Sequence, residues 1–231
     1  MAQLGEHQTR APLRVLSRHT LRDRIYDGLR VSILRGSFTP GEALTVRRLA
    51  AAFGTSPTPV REALQQLVAE GALIGEPNRS YRVPRISREA FLELRDMRAE
   101  LEGLAAYKAA QFIRAREIRQ LVTLSERMDR AIALQDHKAY LGANQDFHFV
   151  IYGAARSPLL LKTIGMLWMQ IGPCLNMLFD DIELVAGLQD YHLAAVEAFR
   201  QGDAEAARAA LRNDILTAGW HIGRRMDSAP E

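Results

Sequence analysis

The chain has 231 residues, 48% hydrophobic and 25% charged, a balance that excludes a disordered or fibrous protein and suits two domains with separate cores. The single cysteine, Cys174, excludes an intrachain disulfide. No basic-then-apolar leader opens the sequence and no apolar run approaches the ~20 residues of a membrane span, so a cytoplasmic protein without a membrane segment is expected. Behind the net charge of +3, residues 1–88 carry fourteen arginines against seven acids, whereas residues 89–231 carry sixteen basic residues against twenty acids, which points the first part toward nucleic acid.

Residues 1–17 lack apolar periodicity and read as a flexible arm. From Thr20, Leu21, Ile25, Leu29 and Ile33 recur every four residues, one face of a helix that ends near Gly36. Pro40-Gly41 makes a turn. Thr45 then caps a short helix through Leu49 and Phe53, which Gly54 terminates. Ser56 can cap a third helix, with Pro57 in its first turn and Val60, Ala63, Leu64 and Leu67 as its buried stripe up to Gly71.

Two short helices joined by so tight a turn are a helix-turn-helix signature. Ala72-Leu73-Ile74, the turn-rich stretch 76–80 and Tyr81-Arg82-Val83 form a hairpin in the position of a wing. From Ser87 the pattern is helical throughout, broken near Ala115, Asp136, Ser157-Pro158, Ile182 and Gly202-Asp203. The expectation is a mainly α protein: a winged helix-turn-helix over 18–86, an all-α antiparallel bundle of six or so helices over 87–226, and a tail over 227–231.

The run from Leu49 to Leu64, LAAAFGTSPTPVREAL, with Ile33-Leu34-Arg35-Gly36 and Pro40-Gly41 before it and Glu70-Gly71 after it, resembles the GntR family of bacterial winged-helix regulators. That resemblance implies that operator DNA is the partner. A helix docked in the major groove offers its N-terminal residues to base edges. Arg61, one turn into the third helix, can donate two parallel bonds to guanine, and Ser56 and Thr58 are short enough to bond phosphate or a nearby base. The resemblance adds Arg47 as a phosphate or base contact and Arg79 at the wing tip. Two positions depart from the family's habit: Ser80 stands where many relatives have glycine, and Pro57 where many have a basic residue.

The second half is similar to the FCD domain of the FadR-like branch of that family, through Arg98-Ala99-Glu100-Leu101-Glu102, Asn144-Gln145-Asp146-Phe147-His148, and His192 followed by Gly202-Asp203. Relatives commonly hold a divalent metal with one aspartate and three histidines. The corresponding positions here are Asn144, His148, His192 and Asp214, so the first carboxylate has become an amide and the last imidazole a carboxylate. Asn144 and His148 lie one helical turn apart, and His192 and Asp214 flank Gly202 by ten and twelve residues, so a tight turn there would set them level. Two imidazoles, a carboxylate and an amide oxygen suit zinc, nickel or manganese. A buried hydrogen-bonded cluster, or one that takes an organic effector without metal, stands as the alternative. His221 shares the face of Asp214 but lies too far along the helix to join it.

The resemblance further implies a homodimer, a small-molecule effector of organic-acid type, and Arg98 as the partner of its carboxylate. An interhelical or surface salt bridge is the other reading of Arg98, and Met166, Trp168, Met169 and Met177 are either pocket lining or plain core. The function so read is a sequence-specific DNA-binding regulator, a metabolite-responsive repressor of a catabolic or transport operon, and not an enzyme. Two alternatives are a metal-dependent helical enzyme and an architectural DNA-binding protein without an effector. The first leaves the helix-turn-helix unexplained and shows no nucleophile elbow, Walker loop or zinc-protease motif, and the second leaves the large helical half without a purpose.

Overall fold

The computed structural model describes residues 20–76 and 80–226; the expected arm, the wing tip with Arg79, and the tail lie outside these residues. Helix α1 (Leu21–Leu34) starts at a capping box in which Thr20 Oγ1 accepts from the Asp23 amide and Asp23 accepts from the Thr20 amide. Thr45 caps α2 (Val46–Phe53) by accepting from the Arg48 amide. Gly54, in the left-handed region at φ 61°, turns the chain into α3 (Pro57–Ala69), with Pro57 in the first turn where its missing N–H costs nothing. Ile25, Leu29, Ile33, Val60, Ala63, Leu64 and Leu67 close the core between α1 and α3.

The wing is a three-stranded sheet rather than a lone hairpin. β1 (Ala43–Thr45) from the α1–α2 connection pairs with β3 (Ser80–Arg82), and β3 pairs with β2 (Ile74–Glu76), all antiparallel. Leu44 and Gly75 both face Tyr81 across the ladder. Ala72 and Leu73, taken as strand from the sequence, are instead a buried turn after Gly71. Arg82 pins the sheet, donating to Glu76 at 2.6 Å and to the Gly41 carbonyl at 2.7 Å.

The rest is a helical bundle: α4 (Arg88–Ala109), α5 (Ala115–Ala133), α6 (His137–Ala154), α7 (Pro158–Ile171), a 3-10 segment (Gly172–Asp180), α8 (Ile182–Gln201) and α9 (Ala204–Met226). Helix starts are fixed by Ser87, Asp136 and Asp181, each accepting from a first-turn amide, and Gly202 at φ 69° ends α8. α4 packs along α9, α5 against α6 and α8, and α8 against α9, so α4, α6, α8 and α9 converge on one interior. The Gly172-Pro173 sequence ends α7 and begins the 3-10 segment, whose Leu175 and Leu178 close that interior from one end. α1 rests directly on α7 and the 3-10 segment, so the two halves touch through more than their linker.

Candidate functional site

The first candidate surface is the face presented by α2 and the start of α3. Arg47, Ser56 and Thr58 are exposed there, and Arg48 is exposed with a loose contact to Glu42 at 3.8 Å. Ser56 occupies the N-cap position of α3, yet its hydroxyl makes no bond to an α3 amide, so its acceptor and donor face outward. Arg61 is partly buried, and its Nε has no acceptor within the described protein. A third-helix start with exposed Ser56 and Thr58 hydroxyls, beside the exposed Arg47 and the partly buried Arg61, is a surface chemically fitted to phosphate and base edges.

The second candidate is the bundle interior, where four predicted residues meet. Asn144, His148 and Asp214 line one cavity together with Arg98, Tyr140 and Trp168, and His192 adjoins them through Asp214. His148 Nε2 lies 3.2 Å from Asp214 Oδ2, and His192 Nε2 lies 3.8 Å from Asp214 Oδ1. One ligand atom from each of these three residues falls within 4.8 Å of the other two, and all three residues are buried.

The other ring nitrogens decide what the Nε2 atoms can do. His192 Nδ1 lies 2.5 Å from Gln189 Oε1, an acceptor only, so Nδ1 carries the proton; Gln189 is itself held through its amide nitrogen by Asp129 at 2.7 Å and the Ser125 carbonyl at 3.2 Å. His148 Nδ1 lies 2.9 Å from the Tyr152 hydroxyl, which donates to the carboxylate of Glu102 and therefore accepts from Nδ1–H. Both histidines thus turn the Nε2 lone pair toward Asp214. Burial, opposed by the Asp214 charge and reinforced by His148, pushes the His192 pKa down to about 4, so this ring is neutral at pH 7. Burial also disfavours the charge on Asp214, but the positive charge of a protonated His192, together with His148 and Arg98, outweighs it and holds the carboxyl below its usual range. A carboxylate facing two imidazole lone pairs, with His192 Nε2 buried and lacking a hydrogen-bond partner, is an arrangement a cation completes.

Arg98 lines the same cavity. Glu102 takes one edge of its guanidinium, at 2.6 Å from Nε and 3.4 Å from Nη2, and the plane lies 4.5 Å above the Trp168 ring. Burial works against the charge of Arg98, but Glu102, Tyr152 and Asp214 raise its pKa above the ordinary arginine value. The Nη1 end is not used by Glu102. Trp168 is therefore cavity lining, whereas Met166 lies outside it. His221 sits apart, beside Trp220 and Arg224 at the far end of α9. The cavity encloses about 30 Å³ of open space, enough for an ion and a water but not for an organic acid without side-chain movement.

Glu102, Tyr152, Gln189 and Asp129 were not singled out by sequence reasoning. Three of them were within its reach: Glu102 follows Arg98 by four residues, Tyr152 follows His148 by four, and Gln189 precedes His192 by three, the spacings at which helical side chains meet.

A helix-turn-helix with an exposed polar start to its third helix, joined to a helical bundle, is the architecture of a DNA-binding regulator. Residues 21–83 match the bacterial regulatory proteins of the gntR family, and residues 93–217 match the FCD domain. The chain is 31% identical over 188 residues to the HTH-type transcriptional regulator McbR of Escherichia coli K12, covering 80% of this chain and 85% of that protein. It is 30% identical over 219 residues to a Paenarthrobacter nicotinovorans protein named "Probable D-xylose utilization operon transcriptional repressor", covering 93% and 95%. The solved structure of E. coli McbR/YncC superposes with a TM-score of 0.84 at 26% identity, over 89% of this chain and 98% of that one. The chain belongs to the GntR family and carries an FCD domain. It is a DNA-binding transcription regulator and not an enzyme. Among the described residues no helix is long and apolar enough to cross a membrane.

Proposed function

We propose that the chain is a cytoplasmic, homodimeric, metabolite-responsive repressor of a catabolic or transport operon, with the DNA-reading unit over 18–86 and the sensing and dimerising unit over 87–226. Arg47, Ser56, Thr58 and Arg61 contact the operator in this reading, and Arg79 on the wing joins them. His148, His192 and Asp214 hold a divalent cation, zinc, nickel or manganese, with Asn144 supplying an amide oxygen or orienting a water. The Nη1 end of Arg98 receives the carboxylate of an organic-acid effector beside the ion.

One observation carries the sensing part: both Nδ1 atoms are committed to acceptors, so both Nε2 lone pairs converge on Asp214. Two ligand atoms on one tetrahedral zinc lie about 3.3 Å apart. The 3.2 and 3.8 Å separations from Asp214 lie near that value, and with all three ligand atoms within 4.8 Å of one another a shared ion would draw the two rings together. The cation would supply the positive charge that Asp214 and the two lone pairs lack, and would anchor an anionic effector. Elemental analysis of the full chain purified without chelator, followed by melting after chelation and metal add-back, tests this. Stoichiometric divalent metal is expected, with about 2.7 kcal/mol of added stability at 100 times the dissociation constant, and His192→Ala should abolish that gain. A wild-type melting temperature indifferent to all three ions would refute the metal site.

A further inference from the structure

Helix α6 and the 3-10 segment each face two ways. On α6, Tyr140, Asn144 and His148 line the cavity, whereas Leu141, Gln145 and Asp146 face the end of α1. In the 3-10 segment, Leu175 and Leu178 line the cavity, whereas Gly172 and Asn176 meet α1. Arg35, the C-cap of α1, donates from Nε to Gln145 Oε1 at 3.0 Å and from Nη2 to Asp146 Oδ1 at 2.8 Å. One residue on, the Gly36 carbonyl accepts from Asn176 Nδ2 at 2.6 Å. Gly36 holds φ 62°, which favours glycine, and a Cβ on Gly172 would collide with the Ile33 carbonyl, so the two backbones meet with no side chain between them.

We propose that this joint, the Arg35–Gly36 end of α1 gripped by Gln145, Asp146 and Asn176, carries the state of the cavity to the DNA-reading helices. The inference rests on the reading of the cavity as the ligand site. Asn144 and His148 bracket Gln145 and Asp146 within a little over one helical turn, and a helix moves as a rigid rod over so short a length, so a pull on the first pair displaces the second. The far end of α1 is fastened to α3: Tyr26 donates to Glu70 at 2.7 Å and Arg22 donates to Gln66, over a shared buried core. A shift of Arg35 therefore moves the recognition helix too. The ion pair at the joint is 39% and 35% exposed, a strength suited to being remade between two arrangements and not to holding the fold together.

Coupling between two sites is reciprocal, so a change at the joint must alter affinity in the cavity although neither Arg35 nor Asp146 touches the cluster. Zinc is titrated calorimetrically into the full-length, previously chelated wild type, Arg35→Ala and Asp146→Ala. We expect a shift in the zinc dissociation constant of about fivefold or more, in the same direction in both variants, with stoichiometry unchanged. Simple long-range charge effects would instead move the two in opposite directions, because one removes a positive and the other a negative group. Opposite shifts, or none, overturn the proposal. If wild type takes up no zinc, the titration is made with nickel and manganese and judged in the same way; if it takes up none of the three, the site reading fails by itself, and the joint is judged by hydrogen exchange in Asn144→Ala. Altered protection of amides 33–37 relative to wild type upholds it, and unaltered protection overturns it.

Discussion

His192 shows how one buried side chain ties stability to ligand chemistry. In the unfolded chain its imidazole takes a proton near pH 6.5; in the fold, burial, only partly offset by Asp214, delays that to about 4. Between those values the unfolded state binds more protons, so falling pH favours unfolding, and stability that is present above pH 6.5 is lost progressively toward 4. The loss is of the order of 3 kcal/mol for this one group. Chelated protein should therefore show a melting temperature that drops between pH 6.5 and 4.5, and His192→Gln, which cannot titrate, should flatten that drop. A wild-type and variant profile of the same slope would show that other groups dominate. Asp214 acts in the same sense at lower pH: its depressed carboxyl contributes stability that disappears as pH falls below the ordinary carboxylate range.

Among the elements, α3 is built so that reading DNA and holding the core use different faces. Val60, Ala63, Leu64 and Leu67 are fully buried, while Thr58 is exposed and Arg61 is only partly buried, with an Nε that meets no acceptor. Removing the Arg61 side chain therefore orphans nothing inside the domain through Nε. Arg61→Ala should keep its far-ultraviolet dichroism and melting temperature, yet weaken binding to an operator fragment by about 1–3 kcal/mol, the worth of one bidentate base contact. Unchanged operator affinity in a folded variant would remove Arg61 from the reading surface.

The helices were legible through their apolar stripes and, for five of them, through a side-chain cap: Thr20, Thr45, Ser87, Asp136 and Asp181 begin those helices, and Gly54 and Gly202 end two. β1 was not, because three residues with one buried side chain, Leu44, become a strand only through pairing with β3 across some 37 residues of chain. The 3-10 segment was likewise hidden, since its apolar run continues that of α7 and only Gly172-Pro173 marks the change. In the candidate site, the pairing of Asn144 with His148 followed from the helical repeat and that of His192 with Asp214 from the Gly202 turn, while the meeting of the two pairs was what the family resemblance implied. The buried arcs behind them, through Gln189 to Asp129 and through Tyr152 to Glu102, depend on how α4, α5, α6 and α8 pack, which periodicity does not specify.

At the scale of the whole molecule, the bundle from α4 to α9 has an interior of its own, centred on Phe91, Phe147, Tyr140, Trp168, Val185 and Leu211, and about 140 residues suffice to bury such a core without help. What it borrows from the rest of the chain is its seam with α1, where Ile33, Leu34 and Gly36 cover Gly172 and Asn176, Arg35 holds Gln145 and Asp146, and α1 rests on α7. Cutting at residue 87 exposes that seam but leaves the α4–α9, α5–α6 and α8–α9 contacts intact. The fragment 87–226 should accordingly fold with full helical content and melt somewhat below the complete chain. In the proposed homodimer two recognition helices would meet two half-sites about one DNA turn apart, and the unit over 87–226 is expected to supply the dimer contact. Exposed apolar side chains on its surface, Met97 and Leu104 on α4 and Leu193 on α8, give such a contact material to work with. Sedimentation equilibrium of the fragment should return twice its chain mass. A folded monomer would move the dimer contact to the DNA-reading half, and an unfolded fragment would show that the seam with α1 is part of the bundle's core and that the boundary at 87 is misplaced.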